Sequence, residues 1–278
     1  MSSEPTANGA PTTTPSNAAA NVEKPKDGPP PPPVVTVVLV RHGRSSANTA
    51  GILAGRTPGV NLDDHGRGQA DKVAERLAGT RFDRLISSPL DRCRQTVTPF
   101  AEATGLPVEI EERFVEVDYG DWSGRPLKEL ATEPLWRTVQ QHASAAVFPG
   151  GEGLAAVSAR AAAAIRDVRA AATSDQTVLI CSHGDVIKSI LADALCMHLD
   201  SFQRIVVAPA SISVIRYTPH RPFVERVNDT GDLGSISPYP EPAAADAAAA
   251  VDGSAAASSV APVSPASSSD AVPGGVAG

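Results

Sequence analysis

The strongest structural signal in this 278-residue chain is the run VVTVVLV at Val34–Val40, which the tripeptide RHG at 41–43 follows directly. The run is rich in β-branched residues and too short to span a membrane, so it predicts a strand that is buried on both faces. A second run of this kind, TVLIC at Thr177–Cys181, leads into the tripeptide SHG at 182–184. Strands that are apolar on both faces are typical of sheets that helices cover on both sides.

Helical and strand-like patterns alternate along the rest of the chain. Such alternation predicts an α/β fold, a three-layer sandwich with a mostly parallel central sheet and helices on both faces. Ligands bind beyond the carboxyl ends of the strands in such sheets, so His42 and His183 are expected to meet there. The predicted helices cover residues 63–77, 90–104, 154–172 and 186–195, and further strands cover 82–87, 211–217 and 223–227.

Both ends of the chain differ from this body in composition. Residues 1–33 hold 9 of the 25 prolines and residues 236–278 hold 6 more, with Ala, Ser, Thr and Gly making up most of the remainder. Such segments bury too little apolar surface to offset chain entropy, so both tails are predicted to be disordered. Residues 34–235 are left as one domain. The tails carry charges of −1 and −4 out of a net −7, so this domain is nearly neutral.

The composition argues against several classes of protein. A nearly neutral body lacks the basic excess of a nucleic-acid binder. No segment approaches the roughly 20 apolar residues of a membrane span, and the N-terminus does not resemble a secretory signal. Cys93, Cys181 and Cys196 have no CxxC spacing, which favours reduced thiols in a cytoplasmic protein over a zinc site or a disulfide framework. No cofactor is indicated, and the pattern does not predict an oligomeric state.

The tripeptide at 41–43 has two readings when it is taken alone. His42 can be a nucleophile at the end of a buried strand, with Arg41 holding an anion beside it. The same residues can equally form a surface loop without a function. The tripeptide by itself does not separate these alternatives.

Four short blocks stand out along the chain: RHGRSSAN at 41–48, SSPLDRCRQT at 87–96, EVDYGDWSG at 116–124 and SHG at 182–184. In this order they resemble the motifs RHGxTxxN, SxLxRAxQT, ExxxGxWxG and the final histidine block of the histidine phosphatase superfamily, also called the phosphoglycerate-mutase-like family. Each block is weak alone, but together they span about residues 34–220. The resemblance is closest to an actinobacterial branch that is commonly labelled probable phosphomutase.

The resemblance implies a reaction through a phosphohistidine at His42. Arg41 and Arg92 would bind the equatorial phosphoryl oxygens, because the planar guanidinium makes paired hydrogen bonds and stays protonated. His183 would donate a further hydrogen bond as charge develops on the phosphoryl group. Since two arginines supply the positive charge, neither a metal nor another cofactor is expected.

Glu116 is the expected general acid, again by resemblance. It would protonate the leaving oxygen and later deprotonate the incoming water, which requires a raised pKa. Position in the sequence alone does not separate Glu116 from Asp118.

Three more residues of the first block are expected at the substrate. Asn48 would orient the loop or touch the phosphate, and Ser45 keeps the hydroxyl of the usual threonine. Arg44 stands where the family often has glutamate, so it would favour a substrate with a second anionic group.

The favoured function is a phosphomonoesterase that acts on a small phosphorylated metabolite. A phosphomutase is the alternative, and a catalytically silent phosphate-binding module is less favoured because every residue that the chemistry needs is present. Only 67 positions separate Glu116 from His183. The glycolytic mutases have a much longer segment there, and a shorter cover should admit water and favour hydrolysis.

Overall fold

The computed structural model describes residues 31–231 together with Met1. The predicted tails at 1–33 and 236–278 lie almost entirely outside the described residues, so their disorder stays a prediction. Within the described residues, no helix has the length and apolar character needed to cross a membrane.

The described part of the chain alternates between strands and helices, as the sequence predicts. The strands are β1 (Val35–Arg41), β2 (Arg84–Ser87), β3 (Val108–Ile110), β4 (Gln176–Ser182), β5 (Ile212–Tyr217) and β6 (Pro222–Asp229). The α-helices are α1 (Ser46–Thr49), α2 (Asp64–Leu77), α3 (Asp91–Thr104), α4 (Leu127–Leu130), α5 (Pro134–Gln141), α6 (Leu154–Ala170) and α7 (Gly184–Ala194). Short 3₁₀ helices lie at Glu112–Phe114, Gly120–Trp122, Ala143–Ala145 and Leu199–Arg204.

The strands form one six-stranded sheet in the order β3-β2-β4-β1-β5-β6. The first four in this order are parallel, and the hairpin β5–β6 adds two antiparallel strands at one edge. This confirms the prediction of a mostly parallel sheet. Strand β3 was not predicted, because its three residues are exposed and show no apolar pattern.

Alternate residues of β1 belong to two separate apolar cores. Val35, Val37 and Leu39 pack with residues of α6 and α7, whereas Val38 and Val40 pack with residues of α2 and α3. Successive side chains of a strand point to opposite faces, so β1 is buried from both sides. The predicted arrangement of helices on both faces of the sheet is therefore confirmed.

The ends of α2 and α3 follow local signals in the sequence. The Asp63 side chain accepts a hydrogen bond from the Gly66 amide at 2.7 Å and caps α2. Helix α3 ends at Gly105, whose φ of +72° lies in the left-handed region that favours glycine. These two ends agree with the predicted boundaries.

Helix α7 begins at Gly184, two residues before its predicted start. The carbonyl oxygen of His183 accepts the first helical hydrogen bond, from the Ile187 amide at 2.9 Å. The apolar pattern begins only at Val186, so it does not reveal this first turn. As a result, His183 stands at the N-terminus of a helix.

Candidate active site

The parallel pairing of β1 with β4 brings the two histidines together. Arg41 lies opposite Ser182 in the register, so both strands end at the same level. The His42 amide donates to the Ser182 carbonyl at 3.0 Å, and the rings of His42 and His183 lie 5.2 Å apart between centroids. Both side chains are buried.

The ring of His42 is held in one tautomer. Its Nδ1 lies 2.7 Å from the Gly43 carbonyl oxygen, which can only accept, so Nδ1 carries the proton. The other nitrogen, Nε2, accepts a hydrogen bond from Arg92 Nε at 3.3 Å. Burial lowers the pKa of His42 well below its usual value, and the charges of Arg92 and Arg41 lower it further. His42 is therefore neutral, with the lone pair of Nε2 directed at Arg92.

Two arginines bring buried positive charge to the histidines. Arg41 is the last residue of β1, and its Nη1 donates to the Val207 carbonyl at 2.7 Å. Arg92 lies in the first turn of α3, and its Nη2 donates to the Gly55 carbonyl at 2.8 Å. Burial lowers the pKa of Arg41 to about 10, which leaves it charged near neutral pH. Buried guanidinium groups of this kind create a strong preference for an anion.

His183 lies against α3 as well as His42. Its Nε2 is 2.7 Å from Ser88 Oγ and 3.4 Å from Cys93 Sγ. Burial, followed by the charges of Arg92 and His42, lowers the pKa of His183 well below its usual value. A neutral ring keeps one N–H group, which can serve as a hydrogen-bond donor to a bound anion.

Glu116 is buried beside the same cluster, with 3% of its surface exposed. Its Oε1 accepts a hydrogen bond from the Val117 amide at 2.9 Å. Burial raises the pKa of Glu116 to about 7, and the charge of Asp185 contributes in the same direction, while Arg92 and Arg41 oppose it. A carboxyl group with this pKa can hold a proton at neutral pH and release it during a reaction.

The structure also separates Glu116 from Asp118, which the sequence could not do. The Asp118 side chain is 44% exposed, and its Oδ1 accepts a hydrogen bond from the Gly120 amide at 3.0 Å. A buried carboxyl group, such as that of Glu116, favours its protonated form. Glu116 is thus the acid whose environment suits proton transfer.

The other three predicted substrate-binding residues mainly contact the protein. Arg44 Nε forms an ion pair with Asp63 at 2.7 Å. The Ser45 amide donates to Asn48 Oδ1 at 3.0 Å and the Asn48 amide donates to Ser45 Oγ at 3.3 Å, which forms a capping box at α1. These contacts shape the loop after His42. A role of Arg44, Ser45 or Asn48 in substrate binding stays a prediction.

Sequence reasoning missed a buried polar network next to Glu116. The Tyr119 hydroxyl donates to Asp185 Oδ2 at 2.8 Å, Lys188 Nζ lies 3.6 Å from Asp185 Oδ1, and Lys188 also donates to Gln203 Oε1 at 2.9 Å. All four residues are buried. A signal was present, because Asp185 and Lys188 lie one helical turn apart in a mainly apolar helix, and paired charges are typical of such positions.

Five of the predicted residues therefore form one cluster: Arg41, His42, Arg92, Glu116 and His183. The cluster combines a neutral imidazole whose Nε2 is unprotonated, a second neutral imidazole, two guanidinium groups and a carboxyl group of raised pKa. Together these groups can accept a phosphoryl group, neutralise its charge and protonate a leaving oxygen. The fold and the site define an α/β protein equipped for phosphoryl transfer.

Comparison with known proteins gives the family. The model of the histidine phosphatase superfamily (branch 1) matches residues 37–230, and the chain belongs to this superfamily. It is 33% identical over 203 residues to phosphoserine phosphatase 1 of Hydrogenobacter thermophilus, an alignment that covers 72% of this chain and 95% of that relative. It is 30% identical over 173 residues to glucosyl-3-phosphoglycerate phosphatase of Mycolicibacterium vanbaalenii, which covers 60% of this chain and 76% of the relative.

A solved structure agrees with these relatives. The alpha-ribazole phosphatase from Shigella flexneri superposes with a TM-score of 0.64 at 26% identity, and the match covers 70% of this chain and 96% of that one. The superfamily predicted from the four sequence blocks is confirmed, while the actinobacterial branch is supported only loosely, by the Mycolicibacterium relative. These three proteins are named as phosphatases, which supports a phosphoric monoester hydrolase. Another relative, from Yersinia pestis and 29% identical over 183 residues, is named a probable phosphoglycerate mutase, and the mutase alternative is not better supported.

Proposed function

We propose that this protein is a metal-independent phosphomonoesterase that passes the phosphoryl group of a small phosphorylated metabolite to His42 and then to water. The observation that carries this proposal is the state of His42, which is buried and neutral and directs the lone pair of Nε2 toward Arg92. The relatives act, by their names, on phosphoserine, a glucosyl phosphoglycerate and alpha-ribazole phosphate. They share a small phosphorylated metabolite as substrate, and the particular metabolite differs among them.

In the first step, His42 Nε2 attacks phosphorus and a P–N bond forms as the bond to the leaving oxygen breaks. Arg41 and Arg92 bind the equatorial oxygens, and His183 donates a hydrogen bond to them. Glu116 gives its proton to the leaving oxygen, which departs as a neutral alcohol.

In the second step, Glu116 is a carboxylate and removes a proton from water. The water oxygen attacks phosphorus, the P–N bond breaks, and inorganic phosphate leaves while His42 returns to its neutral form. The charge that develops in both steps faces Arg41 and Arg92. Phosphoryl transfer asks the protein mainly for position and positive charge, so we expect these arginines to replace the metal ions of other sites.

The test uses 4-nitrophenyl phosphate in the presence of a metal chelator, with His42→Ala as the control. We expect turnover by the wild type, an acid-labile phosphohistidine after rapid quenching, and neither in His42→Ala. A wild type that shows no turnover and no labelled histidine would overturn the proposal and favour a silent phosphate-binding module.

A second arm separates hydrolysis from phosphoryl return. A panel of phosphorylated metabolites is incubated with and without 2,3-bisphosphoglycerate. We expect inorganic phosphate as the product in both cases. Isomerised phosphoglycerate that depends on the bisphosphate would identify a mutase instead.

The proposal also covers the domain that carries the activity, its cellular compartment and its partner. We assign the activity to residues 34–235 and place the protein in the cytoplasm with its thiols reduced. A small phosphorylated substrate is the partner that the site suits, and neither a nucleic acid nor a membrane is part of the proposal.

A further inference from the structure

The main chain of Glu116 is held by two arginines. Its carbonyl oxygen accepts hydrogen bonds from Arg56 Nε at 2.8 Å and from Arg160 Nη2 at 3.2 Å. Hydrogen bonds from a charged donor are stronger than neutral ones. Two of them on one carbonyl fix the peptide group that carries the Glu116 side chain.

Both arginines are in turn held by Glu152. Its Oε1 accepts from Arg56 Nη2 at 2.6 Å, from Arg160 Nη2 at 2.7 Å and from the Asp118 amide at 3.0 Å. The Glu152 amide donates back to the Asp118 carbonyl at 2.9 Å. The Glu152 carboxylate therefore forms hydrogen bonds with both arginines and with the main chain at Asp118, two residues after Glu116. We call Glu152, Arg56 and Arg160 the acid clamp.

The members of the acid clamp come from separate parts of the chain. Arg56 follows α1, Glu152 lies in the loop before α6, and Arg160 belongs to α6. Their side chains are between 18% and 37% exposed. An isolated exposed ion pair contributes little to stability, but a network of several charges can contribute more. A purely structural role would therefore produce a loss of thermal stability and an equal effect on all substrates.

The acid clamp is also joined to the phosphate-binding arginine. The carbonyl of Gly55 accepts from Arg92 Nη2 at 2.8 Å, and the next residue is Arg56. Gly55 has a φ of +52°, and a Cβ atom there would lie 2.8 Å from Ser123 Oγ, so the position favours glycine. The adjacent residues Gly55 and Arg56 therefore form hydrogen bonds to Arg92 and to the main chain of Glu116, respectively.

We propose that Glu152 is a positioning residue for Glu116. Through Arg56 and Arg160, Glu152 holds the Glu116 carboxyl group at hydrogen-bond distance from the leaving oxygen. This inference rests on the proposed function, in which Glu116 is the proton donor. Proton transfer needs donor and acceptor within about 2.6–3.2 Å, and a displacement of about 1 Å can cost on the order of 100-fold in rate. Loss of the acid clamp should therefore reduce the reactions that depend most on protonation of the leaving group.

The test compares two substrates of similar shape. 4-Nitrophenyl phosphate has a good leaving group that needs little protonation, whereas phenyl phosphate has a poor one that needs more. For Glu152→Ala we expect kcat/KM to fall about 10-fold or more with phenyl phosphate and about threefold or less with 4-nitrophenyl phosphate. Glu152→Gln keeps a carbonyl oxygen as acceptor and should recover part of this loss.

The matched control is Glu109→Gln. It removes the exposed ion pair that Glu109 on β3 forms with Arg84 on β2, and it should leave the rates with both substrates unchanged. Arg56→Gln provides an independent route if Glu152→Ala does not fold, and it should show the same selective loss. Melting temperatures of all variants report the structural contribution separately.

The outcomes distinguish this inference from the proposed function. Equal losses on both substrates, or no loss on either, in folded Glu152→Ala or Arg56→Gln would overturn the positioning role while the wild type still hydrolyses both. A wild type that does not turn over 4-nitrophenyl phosphate would overturn the proposed function and the inference together.

Discussion

Glu116 and Glu109 are the same residue type near arginines, yet their surroundings give them opposite properties. Glu109 lies on the edge strand β3, and its two oxygens accept from Arg84 Nε and Nη2 at 3.0 and 2.6 Å. This hydrogen-bonded pair lowers the pKa of Glu109. Glu116 is buried, accepts from a backbone amide, and has its pKa raised to about 7 by burial and then by Asp185.

The difference shows how one domain can hold both a permanently charged carboxylate and a carboxyl group with a transferable proton. A carboxylate that is exposed and bonded to a guanidinium group stays charged, because both the solvent and the partner favour that form. A carboxyl group that is buried near another carboxylate keeps its proton to a higher pH. The arginines differ in the same way, since Arg84 pairs with Glu109 while Arg92 contacts His42.

The largest expected effect separates the two arginines. Arg92→Ala removes a guanidinium group that binds the phosphoryl oxygens in the proposed mechanism, so kcat/KM for 4-nitrophenyl phosphate should fall by about 10²-fold or more. Arg84→Ala should leave the rate unchanged, because it removes an exposed pair at the sheet edge. Initial rates of the two folded variants, checked by thermal melts, test this. Similar rates in the two variants would show that Arg92 contributes no more to the reaction than Arg84 does, despite its burial beside His42.

A second contrast concerns the two glutamates. Glu116→Gln removes the transferable proton, so the rate with phenyl phosphate should fall by about 10²-fold, and the rate with 4-nitrophenyl phosphate should fall far less. Glu109→Gln should affect neither. Equal losses of Glu116→Gln on both substrates would indicate that another group is the acid.

The pH dependence of the rate tests why the pKa of Glu116 is raised. Glu116 must be protonated to act, so the rate with phenyl phosphate, divided by that with 4-nitrophenyl phosphate, should fall as the pH rises through about 7. The ratio cancels the ionisation of enzyme groups that act equally on both substrates. The negative charge of Asp185 raises the pKa of Glu116, so Asp185→Asn should move this fall to lower pH. If the rate ratio falls at the same pH in Asp185→Asn as in the wild type, Asp185 does not raise the pKa of the acid.

The smallest expected effect is that of Asp118→Asn. This carboxylate lies two residues after Glu116 but is exposed, so the rate should change about twofold or less with either substrate. Steady-state kinetics on both substrates provide the measurement. A selective loss with phenyl phosphate would assign the proton to Asp118 and remove the contrast between the buried and the exposed acid.

Much of the fold could be read from local patterns. The continuous apolar runs in β1 and β4 require burial on both faces, and Asp63 and Gly105 mark helix ends by their own conformational preferences. Strand β3 escaped prediction because it is short and exposed, and because its pairing with β2 supplies the hydrogen bonds that define it. Pairing between distant segments leaves no local pattern.

Part of the candidate site could also be predicted from the sequence, and part could not. The blocks around His42, Arg92, Glu116 and His183 pointed to phosphoryl transfer through their residue types and order. The acid clamp could not be found this way, since Glu152, Arg56 and Arg160 come together only when separate loops and α6 pack around Glu116. Ion pairs between distant residues have no fixed spacing along the chain.

The sequence by itself determined the two buried strands and the residues that follow them, because burial patterns and residue types are properties of short segments. The class of chemistry came from the resemblance of four short blocks, in order, to the motifs of the histidine phosphatase superfamily. Only the tertiary structure decided which of the two candidate acids is buried: Glu116 is, with its pKa raised to about 7, whereas the Asp118 side chain is 44% exposed. This pKa depends on solvent exclusion and on the charges of Asp185, Arg92 and Arg41, which lie far away in the chain and close by in space. The pKa of a carboxyl group follows from its surroundings, and folding alone assembles them.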